Sequence, residues 1–310
     1  MHLLIPFASA VSEASTHTVR DLQLPNLQAL LRRLTPSERI GTDEYALTPP
    51  HERALADALG LRGADGALPW AARQAAADGI ATQGRAWGLL TPVHWHVGRD
   101  HISLADPAAL KLGEGESRPL LDAVRALFES EGFVLAYGAA TRWYAAHDSL
   151  DGLPCASIDR VIGRNVDLWL PNHPQARLIR RLQNEVQMLL YNHPINDARE
   201  ARGELPVNSF WLSGCGRLQP VRESDSVRVD DTLRAPLLAE DWAGWADAWR
   251  ALDAQALAEL VARVHKGEPV ALTLCGERHS QRHDSVARTL WQRATGGWRA
   301  APPHVVLEAL

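Results

Sequence analysis

Cysteine is scarce in this chain of 310 residues: there are three, Cys155, Cys215 and Cys275. They are scattered, odd in number and form no Cys-x-x-Cys pair, which argues against a disulfide framework and a structural zinc knuckle and for a reducing compartment. No run approaches the roughly 20 apolar residues that a membrane span needs. The opening MHLLIPFASAVSEAS has no basic segment ahead of its apolar run, so 3–7 reads as a buried first strand and not as a signal peptide. Positive charge is in deficit. The net charge of −5 leaves no electrostatic footprint for nucleic acid. A phosphate-binding P-loop is missing too: Gly113-Glu114-Gly115 lacks the Lys-Ser/Thr ending and reads as a turn. There are no internal repeats and no long linker. The expectation is a cytoplasmic protein that engages neither membrane nor nucleic acid.

What is present is a chain able to build a core. Hydrophobic residues make up 46% and charged residues 22%, and the length suits two domains or one large α/β domain. Arg far outnumbers Lys, which suits carboxylate or phosphate ligands, although coding bias gives the same enrichment. Leu27, Leu30, Leu31 and Leu34 follow Pro25-Asn26 at helical spacing. Pro49-Pro50 opens a second helix that Gly60 closes. Ser117 is the expected N-cap of a helix to 130, and Pro174 starts one to about 191. Extended segments are expected at 87–97, 101–104, 133–137, 142–146, 207–212 and 269–274, and a helix at 242–264. The segment 223–231 reads as a mobile loop. Strands alternating with helices predict an α/β fold with a largely parallel sheet.

The densest chemistry lies in 184–216, NEVQMLLYNHPINDAREARGELPVNSFWLSGCG. Asn184, His193, Asn196, Arg199 and Asn208 would form an anion cradle in which Arg199 pairs with a phosphate or carboxylate. Arg142 would join from a neighbouring strand. The alternative is an Asx-rich turn with Arg199 in a structural ion pair. His94 and His96, two apart on a strand, project from one face and are metal candidates. His101 joins them if the turn has two residues, Arg99-Asp100, and faces away if it has three. The alternative is a polar strand face. His279 and His283 read as solvated surface. Trp242, Trp245 and Trp249 form one helical stripe, by default core packing or a subunit interface.

Asn184-Glu185, His193-Pro194-Ile195-Asn196, Arg199, Gly203, Val207-Asn208 and Gly214-Cys215-Gly216 stand in one order. In that order the segment resembles the archaeal-type cofactor-independent phosphoglycerate mutases of the alkaline-phosphatase superfamily. Leu24-Pro25-Asn26-Leu27, 50–60 and Arg142-Trp143-Tyr144 extend the resemblance over 1–216, with a tail at 270–284. It implies an alkaline-phosphatase-like three-layer core with an inserted α+β lobe. The expected division is 1–84 plus 217–310 for the core and 85–216 for the ligand-binding lobe.

The resemblance also implies two divalent metals about 4 Å apart, clamping the attacking and leaving oxygens, and a Ser nucleophile. The chain departs from it where those groups belong. Ile5-Pro6-Phe7-Ala8-Ser9 stands where a metal-binding Asp followed by Gly is expected. Pro49-Pro50-His51-Glu52 replaces the nucleophile, and Leu272-Thr273-Leu274-Cys275-Gly276 replaces a Thr-x-Asp-His signature. Asp241-Trp242-Ala243-Gly244-Trp245 replaces an Asp-x-x-x-His segment. The expectation is a degenerate bacterial pseudoenzyme. It would hold no metal cofactor and bind a small phosphorylated or carboxylate ligand in a regulatory role. One alternative is an active metal-dependent phosphomutase or phosphohydrolase with a divalent metal rebuilt on His51, His94 and His96. Another is a scaffold for a protein partner, or for self-association, through the Trp stripe.

Overall fold

A computed structural model describes residues 1–41, 43–82, 84–170, 173–221, 227–285 and 301–310. The chain divides into two compact units, one formed by Met1–Glu44, Pro49–Gly60 and Arg222–Leu310, the other by Tyr45–Thr48 and Leu61–Val221. Residues 61–84, grouped with the first domain on sequence, pack in the second unit. The reason is local: the alanine face of helix Trp70–Ala77 (Ala71, Ala72, Ala75) is buried against Trp87, Tyr144 and Ala146 of that unit's sheet.

In the first unit, strand His2–Ile5 lies between Val227–Val229 and Ala271–Cys275 and is parallel to both. His279–Asp284 then turns back antiparallel to Ala271–Cys275. Two short strands, Thr35–Pro36 and Ile40–Gly41, pair antiparallel with it. The mobile loop expected at 223–231 is in part this outer strand; 222–226 lie outside the described residues. Leu3, Ile5, Leu272 and Leu274 alternate onto one face with period two. They pack in one core with residues of helices Glu13–Asp21, Pro25–Arg33, Trp242–Leu252, Ala258–His265 and Pro303–Glu308. Helix Pro50–Leu59 packs against the same sheet. Its C-terminus is closed by Gly60 at φ 77, as a left-handed cap requires.

The expected helix over 242–264 is broken by a π-turn, Asp253–Leu257. The turn places the buried Asp253 carboxylate against helix Pro25–Arg33, which has no side-chain cap of its own. Asp253 accepts from the Leu27 amide at 2.8 Å and the Asn26 amide at 3.2 Å. A carboxylate on two free N–H groups at a helix N-terminus satisfies both and complements the dipole.

The second unit is built on an antiparallel sheet in the order Val134–Ala139, Arg142–Ala146, Ala86–Val93, Ser209–Arg217. Phe133, Leu135, Trp143, Phe210 and Leu212 form one core with Leu120, Val124, Phe128, Ile179, Leu182 and Val186 of helices Glu114–Glu129 and Ala176–Tyr191. Trp143 belongs to this core and Tyr144 to the core under helix Trp70–Ala77, one residue apart on opposite faces. Ser117 is not an N-cap. It lies inside its helix, donates to Ala140 O at 2.6 Å and accepts from Trp143 Nε1 at 2.8 Å. The fold is mixed α/β as expected, but its sheets are mostly antiparallel and only partly parallel. The alternation of elements was misleading because the 86–217 strands connect as an antiparallel set around helices on their faces. No described helix is long and apolar enough to cross a membrane.

Candidate functional site

Strands His2–Ile5 and Ala271–Cys275 run parallel, so both end at one edge of the first unit's sheet. There the four segments that depart from the resemblance meet. The Ala8 amide donates to Cys275 O at 2.8 Å. The ring of Phe7, whose backbone takes φ 57, lies 4.9 Å from that of His51 in the first turn of helix Pro50–Leu59. Trp245 Nε1 donates to Phe7 O at 3.1 Å. Ala8, Trp245 and Cys275 are fully buried, and burial pushes the Cys275 thiol far up from its ordinary range. Asp241 serves as the N-cap of helix Trp242–Leu252, accepting from the Gly244 amide at 2.9 Å. Gly276 is closed in as well: a Cβ there would stand 2.4 Å from Ser9 Oγ and 2.7 Å from Leu310 Cβ.

This edge does not fit a two-metal centre. Such a centre needs several carboxylate and imidazole donors around each ion. Alanine, paired prolines, tryptophan and a buried thiol stand at the meeting point, with His51 the imidazole beside Phe7. Among the described residues no group of three or more His, Cys, Asp or Glu is placed to hold an ion. Beside the strand ends a cleft of about 360 Å³ is lined by Ser9, Ser12, Thr16, Arg278, His279 and Glu308, among others.

Of the expected cradle residues, Asn196, Arg199, Asn208 and Arg142 are bonded within the protein. Asn196 Nδ2 donates to Leu190 O and Val207 O, both at 2.8 Å, and its Oδ1 accepts from the Val207 amide at 2.9 Å. Arg199 is wholly buried at 0% exposure. Its Nε donates to Leu205 O at 2.8 Å, Nη1 pairs with Glu116 at 2.5 Å, and Nη2 donates to Leu110 O. Asn208 exchanges two bonds with the Trp95 backbone, at 2.7 and 2.9 Å, as a strand neighbour would. His193 is the N-cap of helix Pro194–Ala201, Nδ1 accepting from the Ile195 amide at 3.3 Å. Asn184 is exposed in the middle of helix Ala176–Tyr191.

Arg142 is bidentate to Asp78, at 2.8 and 2.9 Å. Tyr144 Oη donates to the same carboxylate at 2.6 Å. Arg142 and Tyr144 hold the Asp78 carboxyl below its ordinary range, while burial and the Asp78 bond push the Tyr144 phenol up. Each of these contacts is a tie within the protein. Their partners Glu116, Leu110 and Asp78 lie 83, 89 and 64 residues away in the chain, a separation that no local pattern reveals.

The Arg99-Asp100 turn has two residues: Val97 pairs with Ile102, and the Gly98 amide donates to His101 O at 3.0 Å. This puts His101 on the face of His96. The His94 and His96 rings are 6.4 Å apart, and His94 Nδ1 is bonded to Pro206 O at 2.9 Å. Burial lowers the His94 pKa despite that bond. His51 belongs to the first unit, and His94 and His96 to the second.

Trp245 and Trp249 are fully buried, edge to face with Trp242 in a chain of rings about 6.1 and 6.2 Å apart, which is the core packing expected by default. One further expectation is corrected. His283 is on a strand, not a helix, and is 2% exposed in place of the expected solvated surface. It pairs with Leu272, and cross-strand partners share a face, so the ring projects to the side of the sheet that the helices cover.

No protein-family profile matches the chain. A probable 2,3-bisphosphoglycerate-independent phosphoglycerate mutase of Geobacter sulfurreducens is 26% identical over 120 residues, which is 38% of this chain and 30% of that protein's length. Among solved structures, a cofactor-independent phosphoglycerate mutase from Thermoplasma acidophilum aligns over 100% of this chain and 98% of its own, with 14% identity and a TM-score of 0.38. A protein from Pyrococcus horikoshii aligns over 99% and 95%, with 11% identity and a TM-score of 0.45. The chain resembles the cofactor-independent phosphoglycerate mutases.

Proposed function

We propose that this is a phosphoglycerate mutase-like protein without phosphoryl-transfer activity, acting as a regulatory protein by binding a small phosphorylated or carboxylate ligand. What supports the reading is the meeting of 5–9, 49–52, 241–245 and 272–276 around Phe7. The segments come together as a catalytic centre would need, yet the residues that arrive are Ala8, Trp245 and Cys275. Two-metal displacement depends on both ions bridging the reacting oxygens, and no donor set for even one is assembled there among the described residues. On this reading the alkaline-phosphatase-like core persists as a scaffold. The ligand takes the cleft beside Ser9, since the donors of Asn196 and Arg199 are bonded internally.

The test is direct. The chain, purified without a tag, is assayed for interconversion of phosphoglycerate isomers with Mn²⁺, Mg²⁺ or Zn²⁺ supplied, and its metal content is measured. The expected outcome is no turnover and less than stoichiometric metal. Turnover that tracks a bound metal overturns the proposal. The binding half is read by thermal shift with phosphoglycerates: a ligand at a hundred times its Kd stabilises by about 2.7 kcal/mol, and Arg278→Ala should reduce the shift while Arg199→Lys should not abolish it. Absence of any shift removes the binding half.

A further inference from the structure

Two of the three cysteines, distant in sequence, are in contact. Cys155 and Cys215 are 60 residues apart, and their Sγ atoms are 3.8 Å apart. Both are free and buried. The contact is built by the Gly-x-Gly run that the function above leaves unexplained. Trp87 pairs with Gly216 and Leu89 with Ser213, so Gly88 alone faces both Gly214 and Cys215. That is a β-bulge, with Gly214 at φ 64 and Gly216 at φ 148. Bulges re-aim a side chain, and here the bulge carries Cys215 Sγ to within 3.2 Å of where a Gly88 Cβ would stand. On the other side the Cys155 amide is fixed to Gly66 O at 2.9 Å. The next residue, Ala156, accepts from Trp211 Nε1 at 2.9 Å. Trp211 is on the same strand as Cys215, so the loop is tied to the strand it would bridge.

We infer that Cys155 and Cys215 are an oxidisable dithiol that closes to a disulfide, joining the 153–157 loop to the bulge of strand Ser209–Arg217. The sulfurs must approach from 3.8 Å to about 2.05 Å. The two glycines flanking Cys215 supply the backbone freedom for that movement. The oxidant is a low-molecular-weight disulfide. The Cys155 thiol, the less enclosed of the two, attacks it as the thiolate, forming a mixed disulfide and releasing one thiol. Cys215 then attacks the Cys155 sulfur, forming the bridge and releasing the second thiol. Two cysteine thiols are oxidised, one small disulfide is reduced to two thiols, and each cysteine proton passes to a released thiol. Cys275, alone in the first unit, has no partner for this step and serves as an internal control.

The full chain is unfolded in urea and refolded in a buffer of oxidised and reduced glutathione, which removes the barrier of burial. Free thiols are then counted with a maleimide in denaturant, and the linkage is mapped by peptide mass spectrometry. The expected result is a fall from three thiols to one, a single peptide pair joining Cys155 to Cys215, and full recovery of three thiols with dithiothreitol. Cys155→Ser and Cys215→Ser should each keep two free thiols, with unchanged circular dichroism. Three titratable thiols in the refolded wild type, a glutathione adduct on Cys155 that Cys215 does not displace, or a bridge that includes Cys275 would each overturn the assignment.

Discussion

The two regions that the resemblance singles out depart from it in opposite ways. At the strand ends of the first unit the meeting geometry is present and the residues differ: segments far apart in sequence converge on Phe7, but bring Ala8, Trp245 and Cys275. In the 193–208 region of the second unit the residue identities are present, and Asn196, Arg199 and Asn208 are bonded within the protein. A motif match counts side chains. Function depends on which of their hydrogen-bonding positions still face outward.

The hardest test of this contrast is Arg199→Leu. The guanidinium is wholly buried and bridges Glu116 to the carbonyls of Leu110 and Leu205. Removing it leaves the Leu110 and Leu205 carbonyls unsatisfied, at about 1–3 kcal/mol each, while Glu116 keeps its bond from Arg202. The urea midpoint should fall accordingly. An unchanged midpoint together with a lost phosphoglycerate shift would return the second unit to the ligand-site reading.

Acid should act on the first unit's sheet next. His283 is 2% exposed, and neither ring nitrogen has a hydrogen-bond partner among the described residues. Burial drives its pKa down to about 4, and His2, on the same sheet, is likewise lowered to about 4. The unfolded chain takes up these protons near pH 6.5, and the folded chain does not until about 4. The stability is therefore whole above about 6.5 and falls as pH drops through that window. One group accounts for up to about 3 kcal/mol of the loss. Urea midpoints at pH 7.5 and 5 should differ in the wild type and differ less in His283→Leu. Equal slopes in both proteins would show that other groups control the acid response.

Asn196→Ala isolates the second region without removing a charge. It leaves the Val207 amide and carbonyl without their partner, while the Leu190 carbonyl keeps the His193 amide. An unsatisfied buried backbone group costs about 1–3 kcal/mol, so a loss of about 2 kcal/mol by urea unfolding is expected. A neutral result would mean that water or a rearranged loop replaces the amide, and would reopen the case for a solvated pocket.

The local elements were legible because each has a local cause. Gly60 could be read as a cap from its position after an apolar helix, and the apolar positions of 120–128 fix that helix whatever it packs on. The two-residue turn at Arg99-Asp100 was one of two stated possibilities, and the register selects it. Sheet direction was not legible: parallel and antiparallel strands share the same period of two, and only pairing distinguishes them. The fate of Arg199 was hidden for a similar reason. Its ion-pair partner Glu116 is 83 residues earlier, so a ligand-binding arginine and a buried tie look alike in sequence. The Cys155–Cys215 contact depends on a bulge whose glycines look like any Gly-x-Gly.

The smallest expected effects separate two asparagines of one motif. Asn208 is half-buried and takes the place of a strand neighbour, its Oδ1 accepting from the Trp95 amide and its Nδ2 donating to the Trp95 carbonyl. Asn208→Ala should cost about 1 kcal/mol, the net value of a bond whose partners can turn to water. Faster hydrogen exchange at the Trp95 amide should reveal that loss. Asn184 is exposed on its helix, and Asn184→Ala should stay within about 0.5 kcal/mol of wild type. If Asn184→Ala were the more damaging of the two, the helix face that it shares with Met188 and Tyr191 would be a contact surface. Internal bonding would then no longer account for this motif.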